Sequence, residues 1–585
     1  MSEQDAVIGI DLGTTNSCGA VVEGAHARII PSKRGYNTIP SVVGVDANGE
    51  ILIGYPAKRQ MLINPRNTVY GSKRLVGLRF SSPKVQEIRR YFTYELIPTQ
   101  GDGIGVKLGD KVLTLPEVSS LILKEVREVA EDYLVSKVSR AIISVPAFYS
   151  ERQRNAVKEA GRLAGLHVER IISEPTAAAL AYGLQKNMNK RILVYDLGGG
   201  TFDASIVEIK DSEFNVVASG GDTFLGGVDF DNRLLSQVLY EFLEETGVDL
   251  ARYPVVVQRL REACEAAKVE LSTVANTMIN VPFVAKVGGK PWNIERKVTV
   301  DELRSLTQDL VDRTMDVCKD VLNDCRLTPS DLDAIILVGG QSRFPLIHEK
   351  IFENFKREPS KSVHPDEAVA LGTALLAGSL NGGGRKFVFK DVLPMSISLG
   401  APGGRCIRVI DRNTMLPFKK HIKISATPGP DGVFELPVFQ GEGMNIDDNE
   451  FLGTVKISGE KAVSGQKSSY AVQFSLSQEC ILTVQAMDME TRKKVVSELS
   501  ITGTGDSVRK QLHQSSSVNA PLEPDSSGEE AAPASSEGQY PQPKDRSPVK
   551  ESQAGSLPPP IKQSPPLKGQ GLFAHFFGWL RKIFS

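Results

Sequence analysis

The chain lacks the features of secreted, membrane-spanning and nucleic-acid-binding proteins. Its first residues have neither the basic nor the apolar region of a secretory signal, and no run approaches the ~20 apolar residues of a membrane span. Six cysteines are scattered over 585 residues without a Cys-x-x-Cys pair, so neither a disulfide framework nor a zinc site is expected. A net charge of −1 argues against a general nucleic-acid binder. We expect several domains and a cytoplasmic body.

The sequence does contain a repeated strand–turn–strand pattern. In the first copy, an apolar run ends at Asp11 and is followed by Gly13, Thr14 and Thr15 before a second strand-like run. The same order recurs about 185 residues later, in Asp196, Gly198, Gly199, Gly200, Thr201 and Asp203.

Glycine turns of this kind suit a phosphate-binding site. Without a Cβ, the backbone N–H groups can approach an anion closely, and threonine hydroxyls add further donors. An Asp at a strand end can hold a hydrated Mg²⁺, because that ion keeps most of its water and takes few carboxylates. A single copy would equally be an ordinary hairpin turn. Two copies in matching contexts predict a duplicated α/β domain with a nucleotide in its cleft.

Further candidates lie among the alternating strands and amphipathic helices of residues 1 to about 385, which are typical of α/β architecture. Lys73 and Arg74 are adjacent bases, and taken alone they would be a solvated surface. A third glycine turn contains Gly226 and Gly227. One helix face carries Glu265, Lys268 and Ser272 at i, i+3 and i+7 spacing. A further strand–turn junction contains Gly339, Gly340 and Arg343. Taken alone, the helix face would be an exposed ion pair.

Together these motifs resemble the DnaK-type (seventy-kilodalton heat shock) chaperones of the actin-like ATPase superfamily. The resemblance covers residues 5 to about 500 and rests on ordered motifs that include residues 9–17, 196–203 and 365–370. It implies an α/β actin-like ATPase with a duplicated ribonuclease-H-like fold over residues 1–385, followed by an all-β sandwich. It also implies ATP/ADP and Mg²⁺ as cofactors, with K⁺ as a further candidate ion, a role in the stress response, and J-domain and nucleotide-exchange partners.

The resemblance assigns a role to each matching residue. The catalytic set would be Lys73, Glu174, Asp196 and Thr201, with Lys73 and Glu174 positioning the attacking water for phosphoryl transfer. The metal would be surrounded by Asp11, Asp196 and Asp203. The nucleotide would contact Asp11, Gly13, Thr14, Thr15, Gly198, Gly199, Gly200, Thr201, Gly226, Gly227, Glu265, Lys268, Ser272, Gly339, Gly340, Arg343 and Asp366. The relay to the partner domain would use Pro146, Arg154 and Asp391.

Residues 392–505 change to short alternating strands with Gly/Asp/Asn turns, the pattern of an all-β module. By resemblance this is a β-sandwich that binds unfolded or extended apolar polypeptide segments, with a pocket of Leu399, Ile424, Phe434 and Leu436. From alternation alone, these four would be sandwich core. Two departures from the family pattern stand out: Lys390 interrupts the aliphatic linker at 386–391, and Phe434 is bulkier than the usual pocket residue.

A third departure is that no helical lid follows the sandwich. Residues 506–570 are rich in Pro, Ser and Gln, a composition that predicts a disordered linker. Residues 571–585 then predict an amphipathic helix, too short to span a bilayer, with basic residues on its polar face. The apolar face would insert into an anionic membrane surface through Phe573, Phe576, Phe577, Trp579, Leu580 and Phe584. The alternative is docking on this protein or in a partner's groove.

The sequence therefore predicts an ATP-hydrolysing, DnaK-like chaperone that is cytoplasmic and peripherally attached to a membrane. Its ATPase cycle would control the binding of extended apolar segments, and no nucleic-acid partner is expected. The rival hypothesis is an ATP-gated membrane adaptor or co-chaperone that recruits folded partners and holds no unfolded clients.

Overall fold

The computed structural model describes residues 6–24, 26–32, 34–183, 189–362, 364–380, 386–426, 433–458, 468–489, 492, 494–500, 505–514 and 522–523. All of them belong to one compact unit, Met1–Glu530. Within these ranges, no helix is long and apolar enough to cross a membrane.

Strands and helices alternate through the first two thirds of the chain, and strands dominate the rest. The strands are β1 Val7–Asp11, β2 Asn16–Glu23, β3 His26–Ile30, β4 Ile39–Pro40, β5 Val43–Val45, β6 Ile51–Ile53, β7 Thr68–Val69, β8 Glu95–Thr99, β9 Gly103–Leu108, β10 Lys111–Thr114, β11 Arg140–Val145, β12 His167–Ser173, β13 Asn189–Leu197, β14 Phe202–Lys210, β15 Glu213–Asp222, β16 Asn276–Val287, β17 Lys290–Thr299, β18 Ala334–Val338, β19 Val388–Lys390, β20 Ile397–Ala401, β21 Arg405–Ile410, β22 Phe418–Ala426, β23 Val433–Gln440, β24 Glu450–Ser458, β25 Ser468–Leu476, β26 Leu482–Asp488, β27 Lys494–Ser500 and β28 Leu522–Glu523. The helices are α1 Tyr55–Met61, α2 Pro83–Ile88, α3 Leu115–Leu134, α4 Glu151–Leu163, α5 Glu174–Gly183, α6 Gly227–Thr246, α7 Pro254–Glu270, α8 Val300–Asp324, α9 Pro345–Phe355, α10 Ala368–Leu380 and α11 Gly505–Gln514.

Two sheets of the same design form the α/β part. The first has the order β12-β11-β1-β2-β3, and the second has the order β18-β13-β14-β15-β19. In the first sheet, β1 carries the Asp-Gly turn and pairs in parallel with β11 and antiparallel with β2. In the second sheet, β13 carries the turn and pairs in parallel with β18 and antiparallel with β14. The α/β architecture predicted from the repeat is therefore present as two equivalent lobes.

The helices between the lobes are rich in small residues. Helices α5 and α10 pack on each other, and α10 also packs on β1 and β2. Alanines such as Ala177, Ala370 and Ala374 are fully buried there, so the two lobes approach closely through small side chains. Because α5 begins at Glu174, this packing brings the start of α5 to the floor of the cleft between the lobes.

The linker is part of the second lobe's sheet. Strand β19 pairs in parallel with β15, with Val388 opposite Glu213 and Lys390 opposite Asn215. Phe389 is buried, and its ring lies 5.5 Å from that of Phe214. The predicted linker segment is thus an ordered edge strand in this structure.

The β module is a two-layered sandwich. Its strands follow the path β21-β20-β23-β24-β27-β26-β25-β22-β28. Side chains from both halves of that path share one core, including Val438 and Val455 from one half and Val472 and Val484 from the other. A β-sandwich therefore follows the α/β part of the chain.

The start of the predicted disordered linker is helical, so its boundary at residue 506 is wrong. Helix α11 packs against the sandwich through Val508 and Leu512, which contact the cluster of Phe439, Ile446 and Phe451. The Ser- and Gln-rich composition concealed this helix, because its attachment depends on contacts with the sandwich that leave no pattern in its own sequence. The amphipathic segment 571–585 and nearly all of 515–570 lie outside the described residues.

Candidate nucleotide-binding site

A cavity of about 590 Å³ opens between the two lobes. Most of the predicted nucleotide and catalytic residues line it, although they come from both halves of the duplicated domain. They are Asp11, Gly13, Thr14, Thr15, Lys73, Glu174, Asp196, Gly198, Gly199, Thr201, Gly227, Glu265, Lys268, Ser272, Gly339, Gly340, Arg343 and Asp366.

Three predicted residues lie just behind this lining, and two of them are glycines that pack together. A Cβ on Gly226 would lie 2.4 Å from the backbone nitrogen of Gly200, so this pair lets the second and third glycine turns touch. Asp203, the third residue, is 1% exposed on β14, directly opposite Asp196 on β13. They support the cavity wall from behind.

The two Asp-Gly turns face each other across the cavity, as the repeat predicted. A Cβ on Gly199 of the second turn would lie 2.1 Å from the Oγ1 of Thr15 in the first. The threonine hydroxyl and the glycine backbone are therefore adjacent, and a larger residue at Gly199 would push the turns apart. Two facing turns with little side-chain bulk can hold a chain of phosphates from both sides.

Lys73 and Glu174 form a buried ion pair at the cavity floor. The Lys73 Nζ donates to the Glu174 Oε1 at 2.5 Å, and both residues are 6% exposed. Burial lowers the pKa of Lys73, but the charges of Glu174 and Asp11 outweigh it and raise the pKa overall. Lys73 is therefore a fixed cation, not the solvated surface base that its local sequence alone would indicate.

Three carboxylates crowd the same floor. Burial, followed by repulsion from Glu174, raises the pKa of Asp11 and of Asp203 to about 7 and that of Asp196 well above its usual value. Like charges held together in this way would be stabilised by a divalent cation.

No group of three metal-ligating side chains close enough to hold an ion directly occurs among the described residues. A carboxylate set of this kind fits Mg²⁺ that keeps its own water. Hydrogen bonds already fix two of the carboxylates: Ser144 donates to the Asp11 Oδ1 at 3.1 Å, and the Phe148 amide donates to the Asp203 Oδ1 at 3.0 Å.

The opposite end of the cavity is lined by the helix face predicted from i, i+3, i+7 spacing. Lys268 is tied down, because its Nζ lies 2.9 Å from the Asp231 Oδ1 and donates to the Gly227 carbonyl at 3.0 Å. Across from this face, the Arg343 Nη2 lies 2.7 Å from the Asp366 Oδ2. This end therefore presents charged and hydroxyl side chains that can form hydrogen bonds with a nucleoside.

Arg74 connects the lobes next to the phosphate turns. Its Nη2 lies 3.2 Å from both carboxylate oxygens of Asp229, and the Asp229 Oδ2 accepts from the Gly226 amide at 2.8 Å. The arginine lies in the first lobe and the aspartate at the start of α6 in the second. The position of the third glycine turn is therefore coupled to the closure of the lobes.

The predicted relay residues lie between the cavity floor and the sandwich. Asp391, just after β19, accepts from the Ser173 hydroxyl at 2.9 Å, and Ser173 immediately precedes Glu174. Arg154 is buried and donates to the Ala147 carbonyl at 2.8 Å, beside Pro146 at the end of β11. The end of the linker is thus one residue away from the Lys73–Glu174 pair.

A second contact zone between the ATPase lobe and the sandwich includes residues that the sequence did not indicate. The Arg79 guanidinium lies 4.8 Å from the ring centroid of Phe451, and its Nε donates to the Phe451 carbonyl at 3.2 Å. On α4, the Glu151 amide donates to the Gln440 Oε1 at 3.3 Å. These contacts hold β24 and the end of β23 against the first lobe.

The predicted peptide pocket is closed. Leu399, Ile424 and Leu436 are at most 4% exposed and belong to the sandwich core. Phe434 is half-buried, and its ring is stacked on that of Tyr470 at 6.4 Å. In this structure the four side chains occupy the positions expected from alternation alone, and the prediction that they contact a peptide is untested.

Sequence reasoning missed several residues of the nucleotide cavity. Cys18 lines it two residues beyond the first strand–turn, and its thiol donates to the Asn37 carbonyl at 3.1 Å. Thr38, His364 and Val369 also line the cavity, each on a loop or helix without a glycine turn. Their position follows from the closure of the two lobes, which leaves no local pattern in the sequence.

Comparison with protein families agrees with this geometry. A family model described as Hsp70 protein matches residues 7–536, which include both lobes, the linker and the sandwich.

Proposed function

The chain belongs to the Hsp70 family, and from this premise we propose that it is a DnaK-type chaperone in which ATP hydrolysis controls the binding of extended apolar polypeptide. Members of this family are nucleotide-dependent ATPases that use Mg²⁺, bind unfolded polypeptides, and work with J-domain and exchange-factor partners. The observation that carries the proposal is the hydrogen bond from Ser173 to Asp391, which links the catalytic floor to the linker.

In the hydrolysis step, the residues of this chain would mainly position the phosphates and the attacking water and neutralise charge on the phosphates. The facing turns would hold the phosphates through backbone N–H groups and the hydroxyls of Thr14, Thr15 and Thr201. The fixed Lys73–Glu174 pair would orient the attacking water, with Lys73 offsetting the charge that develops on the phosphoryl oxygens. Asp11, Asp196 and Asp203 would surround hydrated Mg²⁺, which when bound neutralises phosphate charge. We keep K⁺ as a further candidate ion of the nucleotide site.

Coupling to polypeptide would pass through the linker strand. When the cleft closes on ATP, Ser173 and β15 hold Asp391 and β19 in place, and the sandwich stays against the first lobe. When hydrolysis relaxes the cleft, release of β19 would free the sandwich to hold its client. In this view the closed pocket of the structure is one end of the cycle.

The test measures single-turnover ATP hydrolysis with and without a Leu-rich peptide. Peptide should stimulate the wild type, and Asp391→Asn should lose most of that stimulation while its basal rate changes little. Asp411→Asn is the matched control, because Asp411 is an exposed aspartate of the sandwich. Equal stimulation of all three proteins would refute the coupling.

The buried side chains of the predicted pocket also support a second candidate function, that of an ATP-gated adaptor that holds no unfolded clients. The stacking of Phe434 on Tyr470 favours it, because that ring fills space a peptide side chain would need. A peptide array probed with the full-length protein in ADP separates the two. A chaperone should bind generic Leu-rich peptides, more tightly after Phe434→Val, whereas an adaptor should ignore them in both forms.

We also propose that the chain is cytoplasmic and attached to an anionic membrane surface by residues 571–585. The support is the sequence pattern alone, with Trp and Phe opposite Arg and Lys. Phe577→Glu should abolish co-sedimentation with anionic liposomes. His575→Glu adds the same charge on the opposite face and should weaken it only slightly, and both should leave basal ATPase activity unchanged. If both variants lost liposome binding equally, the added negative charge, and not the change to the apolar face, would explain the loss.

A further inference from the structure

Strand β22 has one covered edge and one open edge. On one side it pairs with β25 at nine positions, from Phe418 opposite Leu476 to Ala426 opposite Ser468. On the other side, within the described part of the chain, it pairs only with β28. An open strand edge presents backbone N–H and C=O groups in register, and it is a ready template for an extended segment.

The chain's own residues occupy this edge. Strand β28 runs antiparallel to β22, with Leu522 opposite Ile424 and Glu523 opposite Lys423. Ile424 is one of the four residues predicted for the peptide pocket. The segment therefore pairs with the backbone of a residue that the family resemblance assigns to the peptide pocket.

The chemistry of the two strands is complementary. Strand β22 carries Lys419, Lys420 and Lys423 and no acidic residue, whereas the segment that begins at Leu522 continues into a stretch of four acidic residues up to residue 530. The register pairs Glu523 with Lys423, and residues of opposite charge are favoured at paired positions of antiparallel strands. Prolines on both sides of Leu522–Glu523 restrict the segment to extended conformations.

The segment around Leu522 is also close in sequence to helix α11, which is attached to the sandwich. Helix α11 is held on the sandwich by the Arg509 Nη2, which donates to the Asn449 carbonyl at 2.8 Å, and by the Gly403 amide, which donates to the Leu512 carbonyl at 2.9 Å. Seven residues separate the end of α11 at Gln514 from Leu522. A tether of this length keeps the segment at an effective concentration on the order of millimolar.

We propose that the segment around Leu522–Glu523 is an internal competitor that occupies the open edge of β22, so that an incoming polypeptide must displace it. The same edge then selects extended segments in which a leucine is followed by an acidic residue, because they reproduce the pairing with Ile424 and Lys423. This inference rests on the proposed peptide-binding function and adds its occupant and its preference.

The test compares full-length proteins with and without a segment able to pair. Replacing Leu522 and Glu523 with proline (Leu522→Pro with Glu523→Pro) removes both backbone donors, whichever of them faces β22. Ser556→Pro with Leu557→Pro makes the same chemical change beside another proline run in the tail and is the matched control. The probe is a fluorescein-labelled peptide of residues 517–527, and its binding is followed by anisotropy in ADP.

The 522/523 variant should bind the probe about tenfold or more tightly than the wild type, and the control variant should match the wild type. Glu523→Lys should also tighten probe binding, because the internal segment then places a lysine opposite Lys423 while the probe keeps its glutamate. Without any probe, hydrogen exchange should be faster in the 522/523 variant than in the control at whichever of the Lys423 and Ile424 amides faces β28, and unchanged at the other, which faces β25.

The outcomes separate this inference from the proposed function. If the wild type and both proline variants bind the probe equally, and exchange at β22 is unchanged, the internal competitor does not exist, although peptide binding does. If no protein binds either the probe or a generic Leu-rich peptide, the chaperone function fails and the competitor fails with it. Tighter binding in the 522/523 variant alone supports both.

Discussion

The nucleotide cavity and the sandwich pocket differ in how much open space lies between their side chains. The cavity is open, with facing glycine turns and an ion pair already fixed at its floor. The predicted peptide pocket is filled by its own side chains. A site for phosphates must be preorganised, because buried charges are costly to rearrange, whereas an apolar site can close on itself and lose little. For the proposed peptide binding the sandwich would have to open, and we propose the linker and the domain contacts as the parts that open it.

The largest expected effect breaks the preorganised side of this comparison. Asp196→Asn removes one of the crowded carboxylates and should lower single-turnover ATP hydrolysis by about 100-fold or more. ATP affinity should stay within about tenfold, because the glycine turns and the end of the cavity lined by Lys268 and Arg343 are unchanged. Quenched-flow hydrolysis and nucleotide titration measure the two quantities. Asp316→Asn, on the exposed side of α8, is the control, and a wild-type rate in Asp196→Asn would show that the metal assignment is wrong.

The cavity could be predicted to this extent because its chemistry is local. Asp-Gly turns at strand ends appear as short patterns, and the repeat revealed that two of them face each other. Lys73 shows the limit: its neighbours indicated a surface, and only the resemblance paired it with Glu174, 101 residues away.

The sandwich was less predictable, because alternation specifies which residues are inward and not whether a space is left between them. The contact of Arg79 with Phe451 joins residues 372 positions apart and has no local signal at all. Helix α11 was missed for a related reason, since the contacts that stabilise it lie in the sandwich and not in its own sequence.

The next prediction tests the linker as the device that holds the sandwich closed. Phe389 is 7% exposed and stacks on Phe214, with the Arg170 guanidinium 5.8 Å from its ring. Phe389→Ala should weaken docking of the linker by about 2–4 kcal/mol and expose it to protease even in ATP. Val388→Ala is the matched control on the same strand, because Val388 is 46% exposed. Equal protection of both variants would remove β19 as the closing device.

The docking of the sandwich against α4 should depend on pH, because a buried carboxyl lies at this contact. Glu151 is 6% exposed, and burial raises the pKa of its carboxyl to about 7 despite hydrogen bonds from the Leu482 amide and Asn155. A carboxyl with a raised pKa binds more protons when buried than when exposed between about pH 4.5 and 7. Docking should therefore strengthen as the pH falls through that window and weaken as it rises.

The variant Glu151→Gln isolates this contribution. It should remove roughly 1–3 kcal/mol of pH dependence in linker protection, leaving docking in the variant nearly constant between about pH 5 and 7. Glu159→Gln, on the exposed side of the same helix, should titrate like the wild type. Identical pH profiles for the Glu151 variant and the wild type would mean that the sandwich does not bury this carboxyl.

The smallest expected effect concerns Lys390, the charged residue that interrupts the aliphatic linker. Side chains alternate along β19, so Phe389 faces the lobe while Lys390 shares the outer face with the exposed Val388. A lysine there can keep its head in water while its stem lies on the protein. Lys390→Leu should therefore strengthen ATP-dependent linker protection by no more than about 0.5 kcal/mol. Lys386→Leu, at the exposed start of the linker, is the control; a gain of several kcal/mol at Lys390 alone would show that its charge is desolvated when β19 docks.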